Sequence, residues 1–411
     1  MFKRVSGTKD ILPNEISSWQ TIETRARKIF SLYNYQEIRT PIIEEALLFN
    51  RTLGETTEIV KKQMFLIHNQ KDIYALRPEG TASVVRSYLE NNLDKEAGFT
   101  KLYYIGPMFR LERPQKGRLR QFHHIGVEVI GSPDASVDVE VISLADQLLK
   151  NFGISEYKIK INSLGCSKDK QALTLDLKDK LQKKSKELCT DCQERIGNNV
   201  LRVLDCKNEV CQKIIKPLCL NHHLCPECFK HFDLVKDGLN NLNIIFEINP
   251  QLVRGLDYYN RTVFEITHSD LGSQDAIGAG GRYNNLVKEL GGPDLSGIGF
   301  AFGIERLLLT KNSLIEKTQK KLVYFISLGE ASKSAGLKIL NQLRAAEIPC
   351  DTNYLNKSLK GSLRAANDLG ASIVLILGDD ELKKNTISVK DMSKSTQKEI
   401  PIENLIEELK C

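Results

Sequence analysis

The sequence predicts an α+β fold: a mostly antiparallel sheet flanked by helices, a helical insertion, and a C-terminal α/β domain. Three observations predict it. Strand-like segments between residues 101 and 301 follow one another through hairpin-scale or longer connections, without regular strand–helix alternation. Residues 168–240 break that pattern, being helix-like, Lys-rich and the home of seven of the ten cysteines. Beyond the polar segment "KNSLIEKTQKK", strand and helix alternate almost to the end of the chain. At 411 residues the chain outgrows one ordinary core. The expected division is a domain over 1–318, interrupted by the insertion at 168–240, and a second over 321–411.

The elements follow in order. Ile16, Trp19, Ile22, Ala26, Ile29 and Phe30 recur at helical spacing over residues 14–33. Residues 38–43 read as a strand interrupted by Pro41, a residue confined to edges, bulges and strand ends. Strands are expected at 101–110, 122–130, 158–161, 244–248, 262–267 and 297–301, and helices at 81–90, 137–152, 283–290 and 303–309. "KLVYFISLG", "SIVLILGDDEL" and "TISVKDM" are strands of the last domain, whose sheet is expected to be largely parallel. No internal repeat or low-complexity tract occurs.

Composition narrows the class. A hydrophobic share of 41% and a charged share of 27% are those of a soluble globular protein, and the net charge of +6 is a mild bias toward anionic partners. The start, "MFKRVSGTKD", has no apolar signal region, and "IVLIL" and "LVYFISL" are far shorter than a membrane span, so the protein is placed in the cytoplasm. Ten cysteines in a long chain without a signal region point to reduced thiols or a metal site rather than to a disulfide framework.

Four stretches carry candidate chemistry. In "YYIGPMFRLERPQKGRLRQFHHIGVEV" two strand-like ends enclose a loop holding Arg113, Lys116, Arg118 and Arg120 with no acid. It is either a solvated hairpin tip or a clamp for a polyanion, since guanidinium forks match phosphate oxygens in pairs. Arg110 and Glu112 at its mouth favour the clamp: one can hold a phosphate and the other can accept from the amino group of a base. In "GIGFAFGIERLLL" most apolar residues are core, and Arg306 is the exception, in the first turn of a helix entered from a Gly-rich strand. In "LRPEGTASVVR", Thr81 reads locally as a helix N-cap. "GAGGRYNN" reads as a Gly-rich turn that would let backbone approach a ligand closely. A fifth stretch, "LVRGLDYYNRTVFEI", crowds Arg254, Asp257, Tyr258 and Tyr259 where a strand should be entering a core.

In order, these stretches resemble the motifs of class II aminoacyl-tRNA synthetases, and among them the histidyl-tRNA synthetase family. "FRLE" with Arg118 and Phe122 looks like the second class motif, "GIGFAFGIERLLL" like the third, and the region around Pro41 like the first, dimer-forming one. "LVRGLDYYNRTVFEI" and "GAGGRYNNLV" are similar to two signatures peculiar to the histidine enzymes, and "SGTKDILP" to their N-terminus. The resemblance implies an ATP-dependent ligase in which the carboxylate of histidine attacks the α-phosphate of ATP. The histidyl-adenylate so formed would then pass its acyl group to tRNA, releasing AMP.

By that resemblance Arg110 and Arg254 flank the α-phosphate as the catalytic cations. Arg118 and Arg306 hold other phosphates, Phe122 stacks on adenine, Glu112 reads its amino edge, and Mg2+ shares the phosphate charge. Glu79, Gly80 and Thr81 meet the α-amino group, while Glu128, Tyr258 and Tyr259 line the imidazole pocket. His124 stands where the family usually carries a glutamine; it is a substrate contact or a packed strand histidine, and its ring can charge near neutral pH. Arg113 and Gln115 occupy the position that meets the tRNA acceptor end. The C-terminal domain resembles the group's anticodon-binding domain, and a homodimer is implied. Synthetase-like regulatory paralogues tend to lose the tRNA-binding domain or the site cations, both of which this chain keeps.

"CTDC" and "CPEC", 32 residues apart, are a structural zinc signal at longer than usual spacing, with Cys206, Cys211, Cys219, His222, His223 and His231 nearby. The resemblance brings no zinc with it. No metal ligand is therefore assigned, and free thiols in a helical insertion remain the other reading.

Overall fold

A computed structural model of the chain describes residues 2–54, 57–218, 224–310, 322–355, 357–394 and 396–410, without the side chains of 273 and 274. The expected linker 311–321, with Cys219, His222 and His223, lies outside the described residues. The chain forms two compact units, Met1–Ile315 and Glu316–Cys411.

The first unit contains β1 (Gln36–Glu37), β2 (Ile43–Glu45), β3 (Phe65–Asn69), β4 (Asp72–Leu76), β5 (Thr100–Phe109), β6 (Gln121–Ile130), β7 (Tyr157–Ser163), β8 (Phe246–Ile248), β9 (Asn260–His268), β10 (Ala276–Arg282) and β11 (Gly297–Gly303). Eight of them form one sheet in the order β1-β5-β6-β11-β10-β9-β7-β8. Its neighbours are antiparallel except at the two edges, β1 on β5 and β8 on β7.

Period-two alternation separates the faces of this sheet. Ile125, Val127 and Val129 of β6, Phe264 and Ile266 of β9, and Ile298, Phe300 and Phe302 of β11 enter one core. Helices Pro13–Leu32 and Ala135–Phe152 cover it with Trp19, Ile22, Phe30, Val141 and Leu148. The intervening residues of the same strands are left to the other side, where Phe122, His124 and Ala301 line a cleft and Glu128 and Gly299 lie together beneath it.

Four elements depart from expectation. The strand expected over 38–43 does not form across Pro41, and the chain pairs only at Gln36–Glu37 and Ile43–Glu45. β10 was expected as a turn, because five of the residues 276–282 are glycine or alanine with no strand-forming side chain. It is instead an inner strand, and the missing side chains make room: a Cβ on Gly278 would lie 2.3 Å from the Phe302 ring, and one on Gly280 2.5 Å from Phe300 Cβ. The helix expected over 283–290 shrinks to Leu286–Glu289, since Tyr283 is drawn inward to Glu128. The hairpin β3–β4, which pairs with β2 in a three-stranded sheet, was not expected at all. Its mostly exposed residues, apolar and polar alike, carry no alternation.

The insertion is helical, with helices Ser167–Gln182, Thr190–Asn198, Glu209–Ile215 and Pro226–Asn241. It is not a detached lobe. Phe232, Val235 and Leu239 of its last helix join the core beneath the sheet, and Leu173, Leu177 and Val203 join a second core with Tyr258 and Tyr259.

In the second unit β12 (Val323–Leu328), β13 (Cys350–Thr352), β14 (Ile373–Gly378), β15 (Thr386–Asp391) and β16 (Thr396–Pro401) form a sheet in the order β13-β12-β14-β15-β16. It is mixed rather than largely parallel: β12 is parallel to β13 and β14, while β14–β15 and β15–β16 are antiparallel. The reason is length. Only residues 379–385 join β14 to β15, and a parallel crossover needs a dozen or more.

Candidate active site

The residues facing away from the sheet's core converge on a cleft of about 430 Å3. At its floor lies Glu128, 1% exposed. Its Oε1 accepts from the Thr81 hydroxyl at 2.7 Å and the Tyr104 hydroxyl at 3.4 Å, and its Oε2 accepts from the Tyr283 hydroxyl at 2.7 Å. Three hydroxyls leave the carboxylate one of its four acceptor positions. Burial pushes its carboxyl up to about 8 in spite of those hydrogen bonds. Tyr258 and Tyr259 stand beside it with ring centres 4.6 Å apart, and Tyr258 donates to Glu79 Oε2 at 3.4 Å.

Thr81 is not the cap of its helix. The cap is the carboxylate of Glu79, whose Oε2 accepts from the Thr81 amide and Oε1 from the Ala82 amide, both at 2.8 Å. The Thr81 hydroxyl is thereby free to serve Glu128. Burial raises the Glu79 carboxyl above its ordinary value.

Gly80 is required for a different reason from direct contact. A Cβ there would lie 2.3 Å from Tyr104 Cζ, and one on Gly126 would lie 2.4 Å from the same atom, so the ring is seated between two glycines. Gly80→Ala should displace Tyr104 from Glu128 and lower the adenylation that the sequence resemblance implies at least about tenfold, while overpacking costs about 1–3 kcal/mol. Pyrophosphate exchange read alongside a thermal melt checks this, and unchanged exchange would refute it.

The second half of the cleft is cationic. Arg110 donates through Nε to Pro78 O at 2.9 Å and lies 5.3 Å from the centre of the Phe122 ring. Arg306 donates to Gly117 O at 2.8 Å and Ala276 O at 2.6 Å, which aims it beneath the 113–120 loop. Arg118 pairs with Glu112 at 3.2 Å and Arg254 with Glu265 at 2.7 Å. Burial lowers Arg110 and Arg306 from their ordinary values, yet a guanidinium stays charged. Desolvated cations held this close call for an anion between them. Arg113 and Gln115 are exposed at the tip of the loop, which turns at Gly117 with φ +73°.

His124 corrects one expectation. Burial, and then the nearby Arg110, push its imidazole down to about 3, so it stays neutral near physiological pH instead of charging. Its Nδ1 is buried without a hydrogen-bond partner, and its ring meets Phe122 edge-on at 5.1 Å. An unpartnered polar atom facing the cleft favours ligand contact over plain packing.

All the expected site residues thus line or border one cleft, except Arg113 and Gln115, which stay at the loop tip. Sequence reasoning missed Tyr104 and Tyr283, which complete the hydroxyl ring around Glu128. Both lie inside quoted stretches, but only the strand register, with Tyr104 opposite Gly126, shows that they point the same way as Glu128. It also missed Arg195, Arg202 and Lys207 of the insertion, which line the cleft wall.

A family model described as Histidyl-tRNA synthetase matches residues 7–307, and one described as Anticodon binding domain matches residues 322–411. The histidine–tRNA ligase of Halothermothrix orenii is 46% identical over 417 residues, covering 99% of this chain and 98% of the relative. That of Clostridioides difficile is 42% identical over 414 residues, covering 99% of each. The crystal structure of the apo histidyl-tRNA synthetase of S. aureus shares 35% identity with a TM-score of 0.83 over 100% of both chains. Matches of this length and identity lead to a single family, and the chain belongs to it: the histidyl-tRNA synthetases.

Proposed function

We propose that the chain ligates L-histidine to its tRNA in two steps at this cleft. The observation that carries the proposal is the junction of two unlike environments. A buried carboxylate ringed by hydroxyls suits an imidazole, and it opens directly onto a set of partly desolvated guanidinium groups suited to a triphosphate.

In the first step the histidine carboxylate attacks the α-phosphorus of ATP and diphosphate leaves. No protein nucleophile is needed, because the attacking group is already an anion; the protein must hold two anions together and neutralise the charge growing on phosphate oxygens. Arg110 and Arg254 serve the α-phosphate, Arg118 and Arg306 the outer phosphates, Phe122 stacks on adenine and Glu112 accepts from its amino group. ATP enters as its Mg2+ complex. The carboxylates Glu112, Glu265 and Glu305 are paired with Arg118, Arg254 and His123, so the metal arrives with the nucleotide. Glu79 and Thr81 receive the α-amino group, and Glu128 with Tyr258 and Tyr259 receives the imidazole, with His124 at the rim.

In the second step the terminal adenosine of tRNA takes the acyl group and AMP leaves. Arg113 and Gln115, exposed on the loop, meet the acceptor end, and the residues 322–411 bind the anticodon. Domain limits of 1–318 and 321–411 fit this division of labour. We further propose a cytoplasmic homodimer. No helix of the described residues is long and apolar enough to cross a membrane. Ile43, Leu66, Ile67 and Ile73 of the three-stranded sheet are each 42–52% exposed, apolar surface that a second copy would cover; light scattering at micromolar concentration tests it.

The test of function is histidine-dependent exchange of pyrophosphate into ATP, followed by charging of tRNA. Both are expected. A folded chain silent in the exchange would instead be a synthetase-like regulatory protein.

A further inference from the structure

The two C-x-x-C pairs do not meet each other. Cys189 and Cys192 converge with Cys206 and Cys211, whereas Cys225 and Cys228 converge with Cys166 and Asp169, the candidate ligand atoms of each group lying within 4.8 Å of one another. We infer that Cys189, Cys192, Cys206 and Cys211 bind one structural Zn2+, which fastens the insertion to the wall of the cleft.

Geometry and burial support a tetrathiolate centre. Zn–S bonds of about 2.3 Å in a tetrahedron place sulfurs about 3.8 Å apart. Cys189 Sγ and Cys206 Sγ are 3.8 Å apart, far beyond a disulfide bond of about 2.05 Å. Cys192, Cys206 and Cys211 are buried. Four thiols packed only as small apolar groups have no reason to turn their sulfurs to one point. These sulfurs also receive donors: the Cys189 amide is 3.3 Å from Cys211 Sγ and the Asn208 amide 3.4 Å from Cys206 Sγ. When the ion binds, the four thiols release their protons to solvent, and the centre carries a net charge of −2. Arg195 lies within electrostatic reach of Cys192 to offset part of it.

The second group differs in one respect that matters. Both oxygens of Asp169 are already used as helix caps, accepting from the amides of Cys166 at 3.2 Å and Cys225 at 3.1 Å. Hydrogen bonds account for that cluster, so the expected stoichiometry is one ion per chain rather than two.

The position explains what the ion is for. Between the two cysteine pairs runs the segment that carries Arg195, Arg202 and, one residue past Cys206, Lys207 to the cleft. Arg195 pairs with Glu58 at 2.8 Å, Asn199 Nδ2 donates to Asp257 Oδ1 at 2.8 Å, and Arg202 Nη1 lies 2.7 Å from where a Cβ on Gly255 would sit. The centre thus braces short helices against the stretch that carries Arg254 and Tyr258. A small segment of this kind commonly needs a metal to hold one conformation.

Metal analysis of the full-length chain, purified without a His-tag from zinc-supplemented cells, should find about one zinc per chain. Cys206→Ser and Cys211→Ser should each lose most of it, and Cys228→Ser should keep it. X-ray absorption at the zinc edge of the wild-type chain should show sulfur-only coordination near about 2.3 Å, which decides the matter even if the serine variants fail to fold. A zinc-free wild-type chain would overturn the inference. So would zinc retained in both Cys206→Ser and Cys211→Ser, or coordination that includes oxygen, which would point to the Asp169 group.

Discussion

Arg254→Ala should reduce histidine-dependent pyrophosphate exchange by about 10²- to 10³-fold, the usual loss when one positioned donor to a developing oxyanion is removed. Among the described residues the guanidinium donates only to Glu265, and its Nε is buried without a partner. That unsatisfied donor is the feature expected of a side chain prepared for a ligand. The stability cost should be small, about 1–2 kcal/mol, because the pair is only partly buried and the loss is one charged hydrogen bond. A melt and an exchange assay on the same preparation separate the two effects. A variant that unfolds, or that exchanges at the wild-type rate, would remove Arg254 from the catalytic role.

Glu128→Gln should raise the KM for histidine by about 10²-fold, the scale of losing one hydrogen bond to a charged group. The change is isosteric, so no cavity confuses the result. The amide supplies a single acceptor oxygen, whereas the carboxylate serves Thr81, Tyr104 and Tyr283 and still has a position for an imidazole N–H.

The same variant tests the raised carboxyl. A group whose folded value lies above its unfolded one contributes stability that is fully present below about 4.5, the ordinary carboxyl value, and lost as pH rises through about 8. The wild-type chain should therefore lose stability relative to Glu128→Gln between about pH 5 and pH 8, by at most about 1.4 kcal/mol per unit. A stability difference independent of pH across that range would show that the carboxyl is not held protonated.

Much of the α+β architecture was legible because its signals are local. The amphipathic pattern from Ile16 to Phe30 and the strands around Phe122 and Phe264 each declare their period within a few residues. Motif residues such as Arg110, Arg254 and Arg306 were legible because a guanidinium set among apolar strand and helix residues has no place in a packing pattern. β10 was not legible, since its glycines suit a turn and a crowded inner strand equally well, and only the rings of Phe300 and Phe302 distinguish the two. The hairpin β3–β4 was hidden because its exposed faces carry no alternation.

The chemistry divides the same way. Residue types and their order along the chain were enough to name the cations, the carboxylates and the tyrosines, since chemical capability belongs to the side chain. Which groups share a proton, a ligand or a metal depends on distances across tens of residues, and those exist only after folding. So Tyr104 reaches Glu128 from β5 and Tyr283 from just past the end of β10, Thr81 gives up the cap to Glu79, and burial turns His124 from a titrating ring into a neutral one. The cysteines are the plainest case: their spacing suggested pairing "CTDC" with "CPEC", and the packing of the insertion's helices sends each pair to different partners.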